Sequence, residues 1–377
     1  MKQFTDKLPS GLILIIKAIM KVIYAFMKIL VKQKNNRVLF MSRQANELSI
    51  DFRLLKNNIE QNHSEVEIRY ICKRFDDSGK NKITFAVSMI KSMYYLATAK
   101  VCVIDAYIPT ISILKHKKSL VVIQMWHSIG KIKQSGYQTL GKEGGRDKIK
   151  AQLLDMHKNY DYVIAGGSAW NEFYCKSFNI AEDKIINIGL PRIDYLLSTK
   201  ESNKKKFYKY YPEFTEKIIV LYAPTFRRDF EVNYEDLKRY FSDDRFAFIV
   251  KKHSNQQSKI KFNDVTCSNL STLEVLSACD YLITDYSAIA IEGAVLDKKT
   301  LYYVPDYDKY MNTNGLNIDP LKEMPSISFK NAKSVFEVIE NDSYNIKELN
   351  GYKKKYLPKE LGKSTEKLTA LILANLG

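Results

Sequence analysis

The 377-residue sequence predicts an α/β protein built from two doubly wound domains, each with a parallel sheet. Three observations carry that prediction. Short apolar runs alternate with longer helix-like segments, the pattern of parallel strands covered by helices on both faces. The pattern breaks at residues 198–215 (STKESNKKKFYKYYPEFT), a polar, basic stretch interrupted by Pro212, and then restarts. Residues 273–305 condense strand, turn, helix and strand into about thirty residues, the length of one βαβ unit.

Residues 11–32 (GLILIIKAIMKVIYAFMKILVK) come first. Lysines interrupt the apolar run too often for a membrane span, and no signal-peptide cleavage site follows. Lys17, Lys21, Lys28 and Lys32 fall within a helical sector of roughly 60°. The remaining circumference is apolar. An N-terminal amphipathic helix, spanning residues 1–33 as a unit, is therefore expected to lie in an anionic membrane surface. The alternative is a helix packed on the protein with its lysines in water.

Strands are expected at Arg37–Met41, Glu67–Cys72, Lys100–Asp105, Leu120–Met125, Asp161–Ala165 and Ile185–Ile188. The helix over Ile83–Thr98 is apolar nearly all round and is expected to be buried. These elements make a first domain over residues 34–200. After the connection, strands are expected at Lys217–Tyr222, Phe246–Val250, Tyr281–Thr284 and Thr300–Val304, within a second domain over residues 216–377. A helix covers 360–376. Two such sheets joined by a linker place an interdomain cleft at their strand C-terminal ends.

Hydrophobic residues make up 45% of the chain, which excludes a disordered protein. A formal charge of +17 favours an anionic partner: a membrane, a phosphorylated substrate or nucleic acid. The five cysteines show no CxxC pair and read as reduced, mostly buried thiols. No HExxH or clustered His/Cys set suggests a metal, so no cofactor is implied and a divalent cation has no support in the sequence. Asp306-Tyr307-Asp308 has the spacing of a carboxylate pair but reads as loop.

Reactive side chains gather just past predicted strands. His127, in QMWHSIGK (124–131), could take a proton from an alcohol near neutral pH, with Lys131 offering charge to a phosphate. A structural turn histidine is the alternative. YAPTFRR (222–228) brings Thr225 and two guanidinium groups, Arg227 and Arg228, suited to forked binding of phosphate oxygens. KKHS (251–254) brings His253. Thr284, Asp285 and Ser287 stand where a helix begins, so they either cap it or help its N-terminus hold a phosphate. Arg192 closes the first half in GLPRID (189–194). His63, His116 and His157 lie in polar surroundings and read as solvated.

Taken in order, YLATAK (95–100), QMWHSIGK, GLPRIDYL (189–196), YAPTFR, KKHS and the stretch 283–310 resemble the CDP-glycerol glycerophosphotransferase family of teichoic acid synthesis. The resemblance spans roughly residues 90 to 325. It implies a GT-B-like fold of two Rossmann-like domains. It also implies transfer of a polyol phosphate, glycerol phosphate first, from a CDP-activated donor to a hydroxyl of a lipid-linked saccharide. The resemblance further implies that CMP is released at the cytoplasmic face of the membrane. The length resembles the single-module members, including those that prime the polymer.

By this resemblance His127 is the base near the acceptor, with Ser128 and Lys131 on the acceptor or phosphate side. His253 sits near the donor phosphates. Thr225, Arg227, Thr284, Asp285, Ser287, Arg192 and Glu292 form the donor-binding set. The chain departs from the family at Ser128, where glycine is usual, at Ser254 in place of proline, and at Ala288 in place of a second serine. The motifs do not separate CDP-glycerol from CDP-ribitol. A nucleotide-sugar glycosyltransferase of the same fold is a further reading. A non-enzymatic protein that binds an anionic polymer is another, although no recognition motif for nucleic acid is present.

Overall fold

The computed structural model describes residues 9–74, 82–143, 145–225, 227, 232–252 and 264–376. Contacts divide the chain into two compact units. The first comprises residues 1–128, 135–192 and 363–377, and the second comprises 129–134 and 193–362.

The first unit holds a six-stranded sheet made of β1 (Arg37–Ser42), β2 (Glu67–Cys72), β3 (Val101–Ile104), β4 (Val121–Gln124), β5 (Tyr162–Ala165) and β6 (Ile185–Asn187). The order is β2-β1-β3-β4-β5-β6 and every pairing is parallel. β1 is buried at all its positions, including both faces of Val38-Leu39-Phe40-Met41, as a parallel strand covered on two sides must be. β2 lies at the edge and leaves Arg69 and Tyr70 exposed. The chain leaves β1 toward β2 and returns to its other side as β3. That reversal makes the β1–β3 boundary the switch point, where such sheets present ligand-contacting residues at the strand C-terminal ends.

The second unit holds β7 (Ile218–Tyr222), β8 (Phe246–Val250), β9 (Tyr281–Thr284), β10 (Lys299–Tyr303) and β11 (Ser328–Phe329). The order is β11-β10-β9-β7-β8, again all parallel, with its reversal between β7 and β9. Segment 129–134 follows β4 in sequence yet packs here. Lys133 bridges Leu316 in antiparallel fashion, Asn317 N donates to the Ile132 carbonyl at 2.8 Å, and Gln134 N donates to the Gly315 carbonyl at 3.1 Å.

Several expectations need correction. Residues 198–215 are no open connection: a helix runs unbroken over Pro191–Tyr210, followed by a 3-10 turn at Pro212–Phe214. The first unit ends at Arg192 and regains the C-terminal helix Ser364–Ala374, whose Ser364 hydroxyl donates to the Ile188 carbonyl. The helix Lys82–Thr98 is not buried all round, since Val87, Ile90 and Tyr94 are 59%, 50% and 42% exposed.

In the helix Ser10–Leu30, Ile13, Met20 and Tyr24 face inward, while Ile15, Ile19, Val22, Phe26 and Ile29 face out. Its lysines do not form one free stripe. Lys17 pairs with Asp155 and Lys28 donates to the Lys115 carbonyl, leaving Lys21 and Lys32 exposed. Among the described residues no helix is long and apolar enough to cross a membrane.

Two histidines expected in solvent are enclosed. His157 is 4% exposed, with Nδ1 on the Tyr160 hydroxyl. His116 lies between Tyr24 and the Ile111 carbonyl, and burial pulls its pKa down to about 4. All five cysteines are free thiols.

Candidate functional site

Each unit carries a polar cluster at its own switch point. In the first, β4 ends at Gln124, whose side chain spans two loops. Its Nε2 donates to the Ala106 carbonyl at 3.1 Å and its Oε1 accepts from Trp126 N at 2.8 Å. That clamp holds Trp126 at φ 60°, a left-handed conformation that turns the chain sharply before His127. The indole lies 4.2 Å from the His127 ring, centroid to centroid.

His127 Nδ1 stands 3.0 Å from the Asp105 carbonyl and 3.2 Å from Gln44 Nε2. The Asp105 carbonyl only accepts and so needs Nδ1–H as donor, whereas the Gln44 amide N–H would need Nδ1 to accept. The shorter contact, to the obligate acceptor, favours Nδ1–H, and in the neutral ring that leaves the lone pair on Nε2. That is the tautomer a general base needs. The next residue, Ser128, is buried, and its carbonyl accepts from the Tyr174 hydroxyl at 3.1 Å.

Asp105, at the end of β3, is 2% exposed and lies by the Ser42 hydroxyl. Burial raises its pKa to about 7; the Ser42 hydroxyl works against this, Asp51 adds to the rise and Arg192 opposes it. Arg192 belongs to this cluster. Its backbone N–H and its guanidinium both bind the Asp51 carboxylate, which is 1% exposed.

In the second unit the turn after β7 is fastened to the end of β9. Thr225 N donates to both Asp285 oxygens, at 2.8 and 3.0 Å, and the Thr284 hydroxyl donates to the Ala223 carbonyl at 2.7 Å. Arg227 is enclosed by two carboxylates. Its Nη1 donates to Asp285 at 2.6 Å, while Nε and Nη2 fork onto Asp306 at 2.7 and 2.9 Å. Its guanidinium also lies 5.6 and 5.5 Å from the stacked rings of Tyr286 and Tyr310. Burial works against its charge, but Asp285 and Asp306 more than offset this, and the guanidinium is held firmly protonated.

Tyr222, Pro224, Thr225, Arg227, Tyr234 and Lys252 line a small hollow beside this network. The Thr225 hydroxyl is buried there with no partner among the described residues. Lys133 lies near Asp285, which raises its pKa, while burial, the larger influence, and Arg227 lower it. Burial also pulls Lys131 well below the ordinary lysine range.

The site residues named from sequence thus divide. His127, Ser128 and Arg192 sit in the first unit; Lys131, Thr225, Arg227, Thr284, Asp285, Ser287 and Glu292 sit in the second. Thr225, Arg227, Thr284 and Asp285 form one bonded group. Ser287 is not the N-cap of the following helix, Ile289–Val295, where Ala288 stands, but its hydroxyl accepts a long bond, 3.5 Å, from Ile289 N. Glu292 is buried within that helix. His253, Ser254 and Arg228 lie outside the described residues.

Sequence reasoning passed over Asp51, Asp105 and Asp306. Asp306 belonged to the Asp-Tyr-Asp triplet read as loop, and Asp105 closed a strand run, so both left a visible trace. Asp51 left none. Among the described residues no group of three metal-binding side chains occurs.

Two parallel-sheet α/β units, each with a polar cluster at its strand ends, define a fold of the GT-B-like class. The chain belongs to the CDP-Glycerol:Poly(glycerophosphate) glycerophosphotransferase family, which it matches over residues 23–374. It is 26% identical over 375 residues to a teichoic acid ribitol-phosphate primase of Bacillus spizizenii, covering 95% of this chain and 96% of that protein. It is 27% identical over 302 residues to a teichoic acid glycerol-phosphate primase of Bacillus subtilis, covering 76% of each. Among solved structures, the wall teichoic acid polymerase TagF superposes with a TM-score of 0.76 at 17% identity, over 96% of this chain and 94% of that one, a likeness of fold. The protein is a CDP-polyol phosphate transferase of teichoic acid synthesis.

Proposed function

We propose that the protein adds a polyol phosphate to a lipid-linked saccharide, with His127 as the general base. His127 Nε2 takes the proton of the acceptor hydroxyl. The freed oxygen attacks the phosphorus bearing the polyol, the bond from that phosphorus to the bridging oxygen breaks, and CMP leaves with the electron pair. Such a transfer needs alignment and charge neutralisation more than covalent help.

The observation that carries this reading is the Asp105 carbonyl on His127 Nδ1, which favours Nε2 as the basic nitrogen. In the second unit the Thr225 hydroxyl, buried and without a partner among the described residues, offers a donor to the pyrophosphate. Arg227, already shared by two aspartates, holds that turn in place. His253 would add charge to the donor phosphates. One relative, matched over 95% of this chain and 96% of its own length, is a ribitol-phosphate primase, which supports testing CDP-ribitol beside CDP-glycerol.

The outward row of Ile15, Ile19, Val22, Phe26 and Ile29 supports attachment of the helix Ser10–Leu30 to an anionic membrane surface. The test is CMP release from CDP-ribitol and CDP-glycerol with a lipid-linked disaccharide, product length being read by mass spectrometry. His127→Ala should abolish turnover and leave donor binding near normal. Unchanged turnover in that variant would remove His127 from the mechanism.

A further inference from the structure

The first unit contains a cavity that none of the residues assigned so far line. It lies at the C-terminal ends of β1 and β2, beside the switch point, and is open to solvent. Part of its wall is polar: Ser42, Arg43, Lys73, Ser88, Ser92 and Thr110. The remainder is apolar, from Met41, Ile71, Met89 and Ile108.

Arg43 is the unusual member. Burial pulls its pKa down, Tyr107 opposes this, and the neighbouring Arg146 charge adds to the fall. Its Nε is buried with no hydrogen-bond partner, and Nη1 makes one long bond, 3.4 Å, to the Tyr107 carbonyl. Among the described residues no carboxylate pairs with it. A partly buried guanidinium beside another cation and unmatched by a carboxylate among the described residues is stabilised when an anion arrives. Thr110, 3% exposed, likewise has a buried hydroxyl without a partner. Two unmatched donors on one cavity wall favour a group rich in acceptor oxygens, and phosphate is such a group.

The apolar wall argues for what the phosphate is attached to. The helix Lys82–Thr98 gives Ser88, Met89 and Ser92 to the cavity while turning Val87 and Ile90 outward. A free phosphate has no use for Met41, Ile71, Met89 and Ile108. An alkyl or prenyl phosphate does, since each buried methylene contributes.

We infer that this cavity is the subsite for the lipid phosphate of the acceptor: Arg43, Lys73 and Thr110 bind the phosphate, and the apolar wall receives the first carbons of the chain. This rests on the reading that the acceptor is lipid-linked.

The test is calorimetric binding of farnesyl phosphate, kept below its micellar concentration, against farnesol and inorganic phosphate. Farnesyl phosphate should bind at least tenfold more tightly than either. Arg43→Ala should weaken it at least tenfold, and Lys73→Ala and Thr110→Val about threefold each, with CDP-polyol binding unchanged. The latter two variants decide the matter if Arg43→Ala fails to fold.

Equal affinity for inorganic phosphate would reduce the cavity to a free-anion site. Equal affinity for farnesol would reduce it to an apolar one. Either result, or unchanged affinity across the variants, overturns the inference. If no CDP-polyol yields CMP, the transferase mechanism fails while the binding result still stands. If CMP release is intact and binding shows no discrimination, only the subsite fails.

Discussion

Asp105→Asn isolates the cost of a buried acid beside the candidate base. Asp105 is 2% exposed and holds its proton to about pH 7, against 3.8 for an ordinary aspartate, with burial as the main cause. Between those values the unfolded chain releases the proton while the folded chain keeps it. The unfolded state therefore binds fewer protons, and stability falls as pH rises from about 4 to about 7, then levels. At 1.36 kcal/mol per pKa unit the full penalty has a ceiling of roughly 4 kcal/mol at pH 8. At pH 5 the same reasoning leaves only about 1.5 kcal/mol.

Asparagine never ionises, so the variant escapes this slope. Any offset from packing the amide is common to both pH values and cancels in the comparison. The expected result is that Asp105→Asn gains about 2–3 kcal/mol relative to the parent between pH 5 and pH 8. Urea unfolding at the two pH values, followed by circular dichroism, measures it. A difference between variant and parent that is the same at pH 5 and pH 8 would refute the reasoning, because it would show that Asp105 ionises without penalty in the native state.

Arg227→Ala leaves Asp285 and Asp306 enclosed without their shared cation and should cost about 3–5 kcal/mol, read as a lowered urea midpoint. An unmoved midpoint would show that the network is not structural. Replacing Ile19 and Phe26, 53% and 64% exposed, with aspartate should weaken binding to anionic vesicles about 100-fold, from the loss of roughly 3 kcal/mol of apolar insertion. Equal flotation of variant and parent would reject the membrane role of that face. Gly136 has φ +58°, and a Cβ there would meet the Ser177 carbonyl oxygen at 2.1 Å. Gly136→Ala should therefore destabilise by more than the ~1–2 kcal/mol of the left-handed conformation alone, and a neutral thermal shift would contradict this.

The sheets were readable because parallel strands covered on both faces are continuous apolar runs, and RVLFM, KVCVI and YLIT announce themselves without partners. The turns after β4, β7 and β9 were readable for a related reason: in this fold the useful residues follow strand ends, so His127, Thr225 and Asp285 could be named in advance. What each residue touches was not. Arg227 looked like a phosphate fork, yet its two carboxylates come from residues 285 and 306, and no local pattern announces a pairing across 79 positions. Asp51 reaches Arg192 across 141 positions and was invisible for the same cause. The lysines of the first helix misled differently. Periodicity places them on one sector but cannot say that Asp155 and the Lys115 carbonyl wait beneath two of them.

The strand of chain at 129–134 has a practical corollary for anyone dividing the gene. The polypeptide passes from one unit to the other four times, at 128/129, 134/135, 192/193 and 362/363. A single cut at 192/193 would leave the upstream fragment carrying a strip that belongs to its neighbour, and without its own terminal helix. The downstream fragment would lack the edge that bridges Leu316. Neither piece made alone should fold to its native form, and co-expression should rescue both, so the two halves are encoded as an interleaved pair rather than in tandem.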